Sequence, residues 1–126
     1  MIPKILVIEN KSDLRDSLII SLIVEGYEVM GAADGVIGIN LARRMIPDVI
    51  ICDFPLDGEA AYGQLRDDQC TQKIPCILMS ADALPERLTP KPNTFLRKPF
   101  GRHDLMEAVL QAIAPLITPP QVLAAG

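Results

Sequence analysis

The sequence has no tryptophan, two tyrosines, three phenylalanines and one histidine. Its core must therefore be aliphatic, drawn from the apolar residues that make up 49% of the chain. The histidine, His103, falls near the start of a helical pattern and reads as a solvated residue. The cysteines Cys52, Cys70 and Cys76 lack the paired spacing of a zinc or redox site. Cys52 and Cys76 sit inside apolar runs, as buried reduced thiols do. No basic stripe is present, and the formal net charge is -4. That argues against nucleic acid as a direct partner and against a polybasic membrane anchor. The apolar run Ile5–Ile8 behind Lys4 is too short for a signal segment or a membrane span, so a soluble, cytoplasmic chain without a membrane partner is expected. Gly31, Gly35 and Gly38 lack the lysine and the spacing of a phosphate-cradling loop.

What the sequence does contain is an alternation of short apolar runs with longer helical patterns. At 126 residues it is long enough to bury a core without disulfides. Ile5–Ile8, Tyr27–Ala32, Val49–Cys52, Cys76–Met79 and Thr94–Arg97 read as strands. Helices are predicted over Asp13–Glu25, capped by Ser12 and closed by Gly26, and over Gly35–Arg44, Glu59–Arg66 and Arg102–Leu116. Leu14, Leu18 and Leu22, widened by Ile19 and Ile23, should form the inner face of the first helix. Ile39 and Leu41 point inward from the second, and Leu105, Ala108, Val109, Ala112, Ile113 and Leu116 line the last. Strands alternating with helices imply a parallel α/β sheet with helices on both faces. Between Asp82 and Asn93, Pro85, Pro90 and Pro92 leave room only for a short helix near 84–88 or an irregular loop. One domain over 1–117 is expected, with 118–126 as a tail or the start of a linker.

In open α/β sheets, ligands gather beyond the carboxyl ends of the strands. The residues there are Glu9 and Asn10, Asp53, Ser80, and Lys98 before Pro99. Two carboxylates and an amide make a hard oxygen set suited to Mg²⁺. A carboxylate can attack phosphorus and form an acyl phosphate, whose oxygens need a cation and hydroxyl donors. Asp53 fits the nucleophile, Lys98 the cation and Ser80 the donor.

Four segments in this order, Ile8-Glu9-Asn10, Pro47–Asp53, Met79-Ser80-Ala81 and Phe95–Phe100, resemble the receiver domains of two-component response regulators. The resemblance covers about Lys4 to Leu116. It implies a flavodoxin-like, doubly wound five-stranded sheet of order 2-1-3-4-5. It also implies Asp53 as phospho-acceptor, Ser80 as switch hydroxyl, Ala81 as its small neighbour, Phe95 as switch aromatic and Lys98 as the conserved-type lysine. Glu9, Asn10, Asp53 and the backbone carbonyl of Pro55 would hold Mg²⁺. The implied partners are a sensor histidine kinase or phosphotransfer protein and a downstream protein target, with homodimerisation open. Such a domain is a signalling module, not an enzyme beyond self-phosphorylation and autodephosphorylation.

The sequence departs from that pattern in three places. Asn10 stands where aspartate is usual. A charge pair at ~4 Å is worth about 4 kcal/mol at an effective dielectric near 20, so a net loss of roughly 1–3 kcal/mol in Mg²⁺ binding is expected. The loop Phe54-Pro55-Leu56-Asp57-Gly58 reaches its glycine early, and the proline-rich stretch displaces much of the usual fourth helix. Asp57 reads as a turn residue beside Gly58. These departures leave two alternatives: a phosphorylation-independent interaction module, or an enzyme such as an aspartyl-nucleophile phosphatase or a nucleotide or flavin binder. The enzyme reading lacks a second aspartate near the nucleophile and a Ser/Thr-rich phosphate loop after the first strand.

Overall fold

A computed structural model of the chain describes residues 2–54 and 58–117, with no side chains at 58, 59, 116 and 117. The strands β1 (Lys4–Ile8), β2 (Glu28–Ala32), β3 (Val49–Asp53), β4 (Cys76–Ser80) and β5 (Thr94–Arg97) form one parallel sheet of order β2-β1-β3-β4-β5. The helices are α1 (Ser12–Val24), α2 (Gly35–Met45), α3 (Gly58–Asp67) and α4 (Arg102–Ile117). β3 and β4 each run one residue further than their apolar stretch suggests, taking in Asp53 and Ser80.

Strand side chains alternate between faces, and the alternation divides the core in two. Leu6, Ile8, Ile50, Cys52, Cys76 and Leu78 pack with Ile39, Ala42, Tyr62 and Leu65 of α2 and α3. Ile5, Val7, Val49, Ile51, Ile77, Met79 and Leu96 pack with Leu18 and Leu22 of α1 and with Leu105, Val109 and Ile113 of α4. Both faces are covered, which is why the strands are apolar throughout rather than alternating. The predicted face of α4 is buried from Leu105 to Ile113; the Leu116 side chain lies outside the described residues. So do Pro55, Asp57 and residues 118–126, where a tail or linker was expected.

Two expectations for α1 need correcting. Ser12 is its first helical residue, and Lys11 takes the cap position with no side-chain capping bond. The Lys11 N–H is held instead by Glu9 Oε2 at 3.1 Å, which pulls the chain into the helix before Ser12 can act as a cap. Ile23 is 53% exposed and does not widen the buried face. It stands about 100° around the helix from Leu22, too far to reach the sheet. Gly26 does close the helix, at φ 101°.

No helix forms over 81–93. The prolines leave backbone donors missing and disfavour helical geometry in the residues before them. The segment is tied down by other means. Leu84 and Leu88 pack on the α2/α3 face, the Tyr62 hydroxyl donates to the Pro90 carbonyl at 2.5 Å, and Asn93 Oδ1 accepts from Cys76 N–H at 3.0 Å. The return into β4 is held by Arg66, whose Nη2 donates to the carbonyls of Thr71 (3.1 Å) and Ile74 (2.7 Å). The same nitrogen lies 3.0 Å from Cys76 Sγ, and burial pushes that thiol up to about 11. Cys52 is likewise buried, whereas Cys70 is exposed.

Candidate functional site

The strand registers set which residues meet at the carboxyl rim. Ile8 pairs with Cys52, Asp53 with Met79, and Ser80 with Arg97. Glu9 and Asp53 are therefore level, and Ser80 and Lys98 each sit one step beyond their paired neighbours. Lys98 is aligned further by its own N–H, which donates to the Ser80 carbonyl at 2.8 Å. Residues from four segments far apart in sequence thus share one edge.

Three of them are joined directly. Lys98 Nζ lies 3.0 Å from Glu9 Oε1 and 2.7 Å from Asp53 Oδ1. The Glu9 side chain is 0% exposed, that of Asp53 11% and that of Lys98 20%. Burial disfavours the ammonium, but its hydrogen bonds to Asp53 and Glu9 and the attraction of their charges outweigh that, holding Lys98 above the usual lysine range. Two carboxylates against one ammonium leave this triad by itself with a formal charge of about −1.

Around this triad, two further residues position Glu9, and sequence reasoning did not single them out. The Lys11 N–H donates to Glu9 Oε2 at 3.1 Å, and Arg15 Nη1 donates to the Glu9 carbonyl at 2.8 Å. The only signal for either was its place after β1, Lys11 in the connecting turn and Arg15 in the first turn of α1, where any donor would serve. Ser80 is buried, and its Oγ accepts from the Asp82 N–H at 3.1 Å. The serine hydroxyl therefore caps its own turn while keeping its proton to donate. Ala81 is exposed at the rim, as is Asn10. Phe95 lies below the rim opposite Leu78, half-buried against the α2/α3 core face. The Pro55 carbonyl lies outside the described residues. His103 is 89% exposed, as expected.

Among the described residues, no group of three or more His, Cys, Asp or Glu could hold a metal ion. The donor chemistry that remains, two carboxylates and the Asn10 amide with a residual negative charge, still suits a hard divalent cation. It does so with reduced charge, because the Lys98 ammonium offsets one of the two carboxylates, and with both Glu9 oxygens already engaged.

A family model described as response regulator receiver domain matches residues 5–110. A DNA-binding dual master transcriptional regulator, RpaA, of a Synechocystis species is 31% identical over 115 residues, covering 85% of this chain and 47% of the relative. A response regulator, MprA, of a Mycobacterium species is 33% identical over 122 residues, covering 89% of this chain and 52% of the relative. The chain thus spans about half the length of these curated relatives. Among solved structures, the receiver domain of a Pseudomonas aeruginosa sensor histidine kinase, with a magnesium ion coordinated in its active-site cleft, superimposes with a TM-score of 0.82. It shares 27% identity and covers 90% of this chain and 99% of that one. The chemotaxis response regulator CheY4 of Vibrio cholerae matches in fold at a TM-score of 0.80, with 24% identity, over 89% of this chain and 99% of that one. Among the described residues no helix is long and apolar enough to cross a membrane.

Proposed function

Since the chain belongs to the response-regulator receiver-domain family of two-component systems, we propose that it is a phospho-accepting signalling module whose acceptor is Asp53. The observation that carries this reading is the position of the Lys98 ammonium, within hydrogen-bonding distance of both Asp53 and the buried Glu9. In the transfer, an Asp53 carboxylate oxygen forms the new bond to phosphorus. The bond from phosphorus to its donor breaks, and the electron pair leaves with the donor. Lys98 is already placed to neutralise the incoming phosphoryl oxygens, which removes the need to reorganise solvent at that moment. Ser80 supplies a hydroxyl donor by turning from its own backbone toward the phosphoryl group. Ala81 leaves room for that group, and Phe95, half-buried below the rim, follows the movement of Ser80 and passes it to the surface. The donor is a histidine kinase or phosphotransfer protein, and the readout is docking to a downstream protein by a cytoplasmic domain at 1–117 followed by a tail at 118–126. Residues 81–93, β5 and α4 build the face that changes.

Mg²⁺ would be held by Asp53, Asn10 and Glu9, with the Pro55 carbonyl as a further candidate, and when bound it neutralises phosphoryl charge. With Asn10 neutral, we expect measurable but weak Mg²⁺ binding, about ten- to a hundredfold below that of a two-aspartate site. Restoring the charge with Asn10→Asp should tighten a Mg²⁺ titration; no tightening would show that Asn10 is not a ligand.

Incubation with acetyl phosphate or phosphoramidate and Mg²⁺, followed by intact mass measurement, tests the central claim. One phosphoryl adduct is expected on the native chain and none on Asp53→Ala. A native chain that gains no adduct would instead support a phosphorylation-independent interaction module. An adduct surviving Asp53→Ala would move the acceptor elsewhere.

A further inference from the structure

A cavity of about 400 Å³ opens beside the triad, lined by Lys11, Leu14, Ala81, Lys98, Pro99 and Phe100. It shares Lys98 with the acceptor carboxylate: that side chain lines the cavity and its ammonium lies 2.7 Å from Asp53 Oδ1. Its walls are of two kinds. Leu14, Ala81, Pro99 and Phe100 are apolar, while Lys11 and Lys98 bring positive charge.

The two lysines are not equivalent. The Lys98 ammonium is committed to Glu9 and Asp53. Lys11 uses its backbone N–H to hold Glu9, but among the described residues its side chain pairs with no carboxylate. Its neighbour in sequence, Asn10, is exposed and uncharged and offers it no carboxylate. Lys11 adds a further positive charge to the rim, beside the Lys98 ammonium and the Arg15 guanidinium that donates to the Glu9 carbonyl. An anionic donor meets less repulsion there than the two carboxylates alone would impose.

Resting on the phospho-acceptor reading of Asp53, we infer that this cavity seats the leaving group of a small acyl phosphate, and that the Lys11 side chain determines that donor preference. In transfer from an acyl phosphate, an Asp53 oxygen bonds to phosphorus and the bond from phosphorus to the acyl oxygen breaks. The electron pair departs on a carboxylate, which needs no proton. That carboxylate carries its developing charge toward Lys11, and its short hydrocarbon part suits the apolar walls. In transfer from phosphoramidate the nitrogen already carries the proton it leaves with and departs as neutral ammonia. A cation in the cavity therefore favours the first donor over the second.

The test compares phosphorylation rates with acetyl phosphate and with phosphoramidate, read by intact mass on the full chain. Lys11→Ala should lower the ratio of the two rates about two- to fivefold, the range of a partly exposed charge pair. Lys11→Glu should lower it further, and Lys11→Arg should keep it near the native value. Because Lys11 is exposed and its structural bond is made by the backbone, these variants should fold as the native chain does. A ratio unchanged in Lys11→Ala and Lys11→Glu overturns the assignment while leaving Asp53 as acceptor. A native chain that takes no phosphoryl group from either donor overturns both.

Discussion

Lys98→Met is expected to lower the stability of the fold by about 2–4 kcal/mol and to abolish phosphoryl uptake in the mass assay. The stability loss does not come from a missing attraction alone. Glu9 is 1% exposed, and its side chain is reached by no solvent. Removing the ammonium leaves this carboxylate buried with the Lys11 N–H as its remaining hydrogen-bond donor. An ion stranded in the interior costs more than the intact pair contributed. The Lys98 side chain is 20% exposed and Asp53 can be rehydrated, so the loss stays below that of a fully enclosed pair. Urea unfolding followed by circular dichroism measures the loss. The companion variant Glu9→Gln should recover more than half of it when combined with Lys98→Met, because the neutral amide needs no counter-charge. A loss under about 1 kcal/mol, or no recovery in the double variant, would show that Glu9 is neutral or solvated in the folded chain.

Gly38→Ala and Gly63→Ala are expected to act in opposite directions, although both replace a helical glycine with the best helix former. A Cβ on Gly38 would lie 2.5 Å from Ile8 Cδ1 and 2.7 Å from Ile8 Cγ1. Ile8 is 4% exposed and enclosed by the α2/α3 core face, so it has nowhere to turn. The overlap costs about 1–3 kcal/mol, against a helix-propensity gain of about 1 kcal/mol. A net loss of up to about 2 kcal/mol is expected. Gly38→Val should lose more, since its added methyls extend into the same space. At Gly63 a Cβ meets nothing within 4 Å. There the propensity gain stands unopposed, and stability should rise by about 0.5–1 kcal/mol. Equal shifts of the same sign would mean that α2 does not pack against β1 as closely as these distances state. Ile8 is also the last residue of β1 before Glu9, so Mg²⁺ binding should weaken in the Gly38 variants if displacement of α2 is passed along the strand.

Much of the rim was legible because a chemical residue follows directly on an apolar run. The stretch Val49–Cys52 can only be a buried strand, and Asp53 then falls at its end whatever the rest of the chain does. The same logic placed Glu9 and Ser80, whereas Lys98 was placed by the end of the predicted strand Thr94–Arg97, with Arg97 between it and the apolar Phe95-Leu96. Helix ends were read less well. At Ser12 the capping preference is worth about 1 kcal/mol, and a bond from Glu9 to Lys11 N–H overrode it. Ile23 looked like core because apolar residues crowd that part of α1, but only one arc of a helix can face a sheet.

The order of short apolar runs and amphipathic segments, a local property, was enough to determine the parallel α/β architecture and to put each chemical residue at the carboxyl end of its strand, while it left 81–93 open between a short helix and an irregular loop. Tertiary structure alone decided which of those residues touch. Strand order brought Glu9, Asp53 and Lys98 together across 89 and 45 positions of chain, and no periodicity encodes so distant a contact. It also decided that Glu9 is enclosed rather than open, that Ser80 rests on its own turn, and that Lys11 stands beside a cavity with no carboxylate partner among the described residues. Burial and pairing depend on what the rest of the chain packs around a residue, and a residue's own neighbours in sequence do not carry that information.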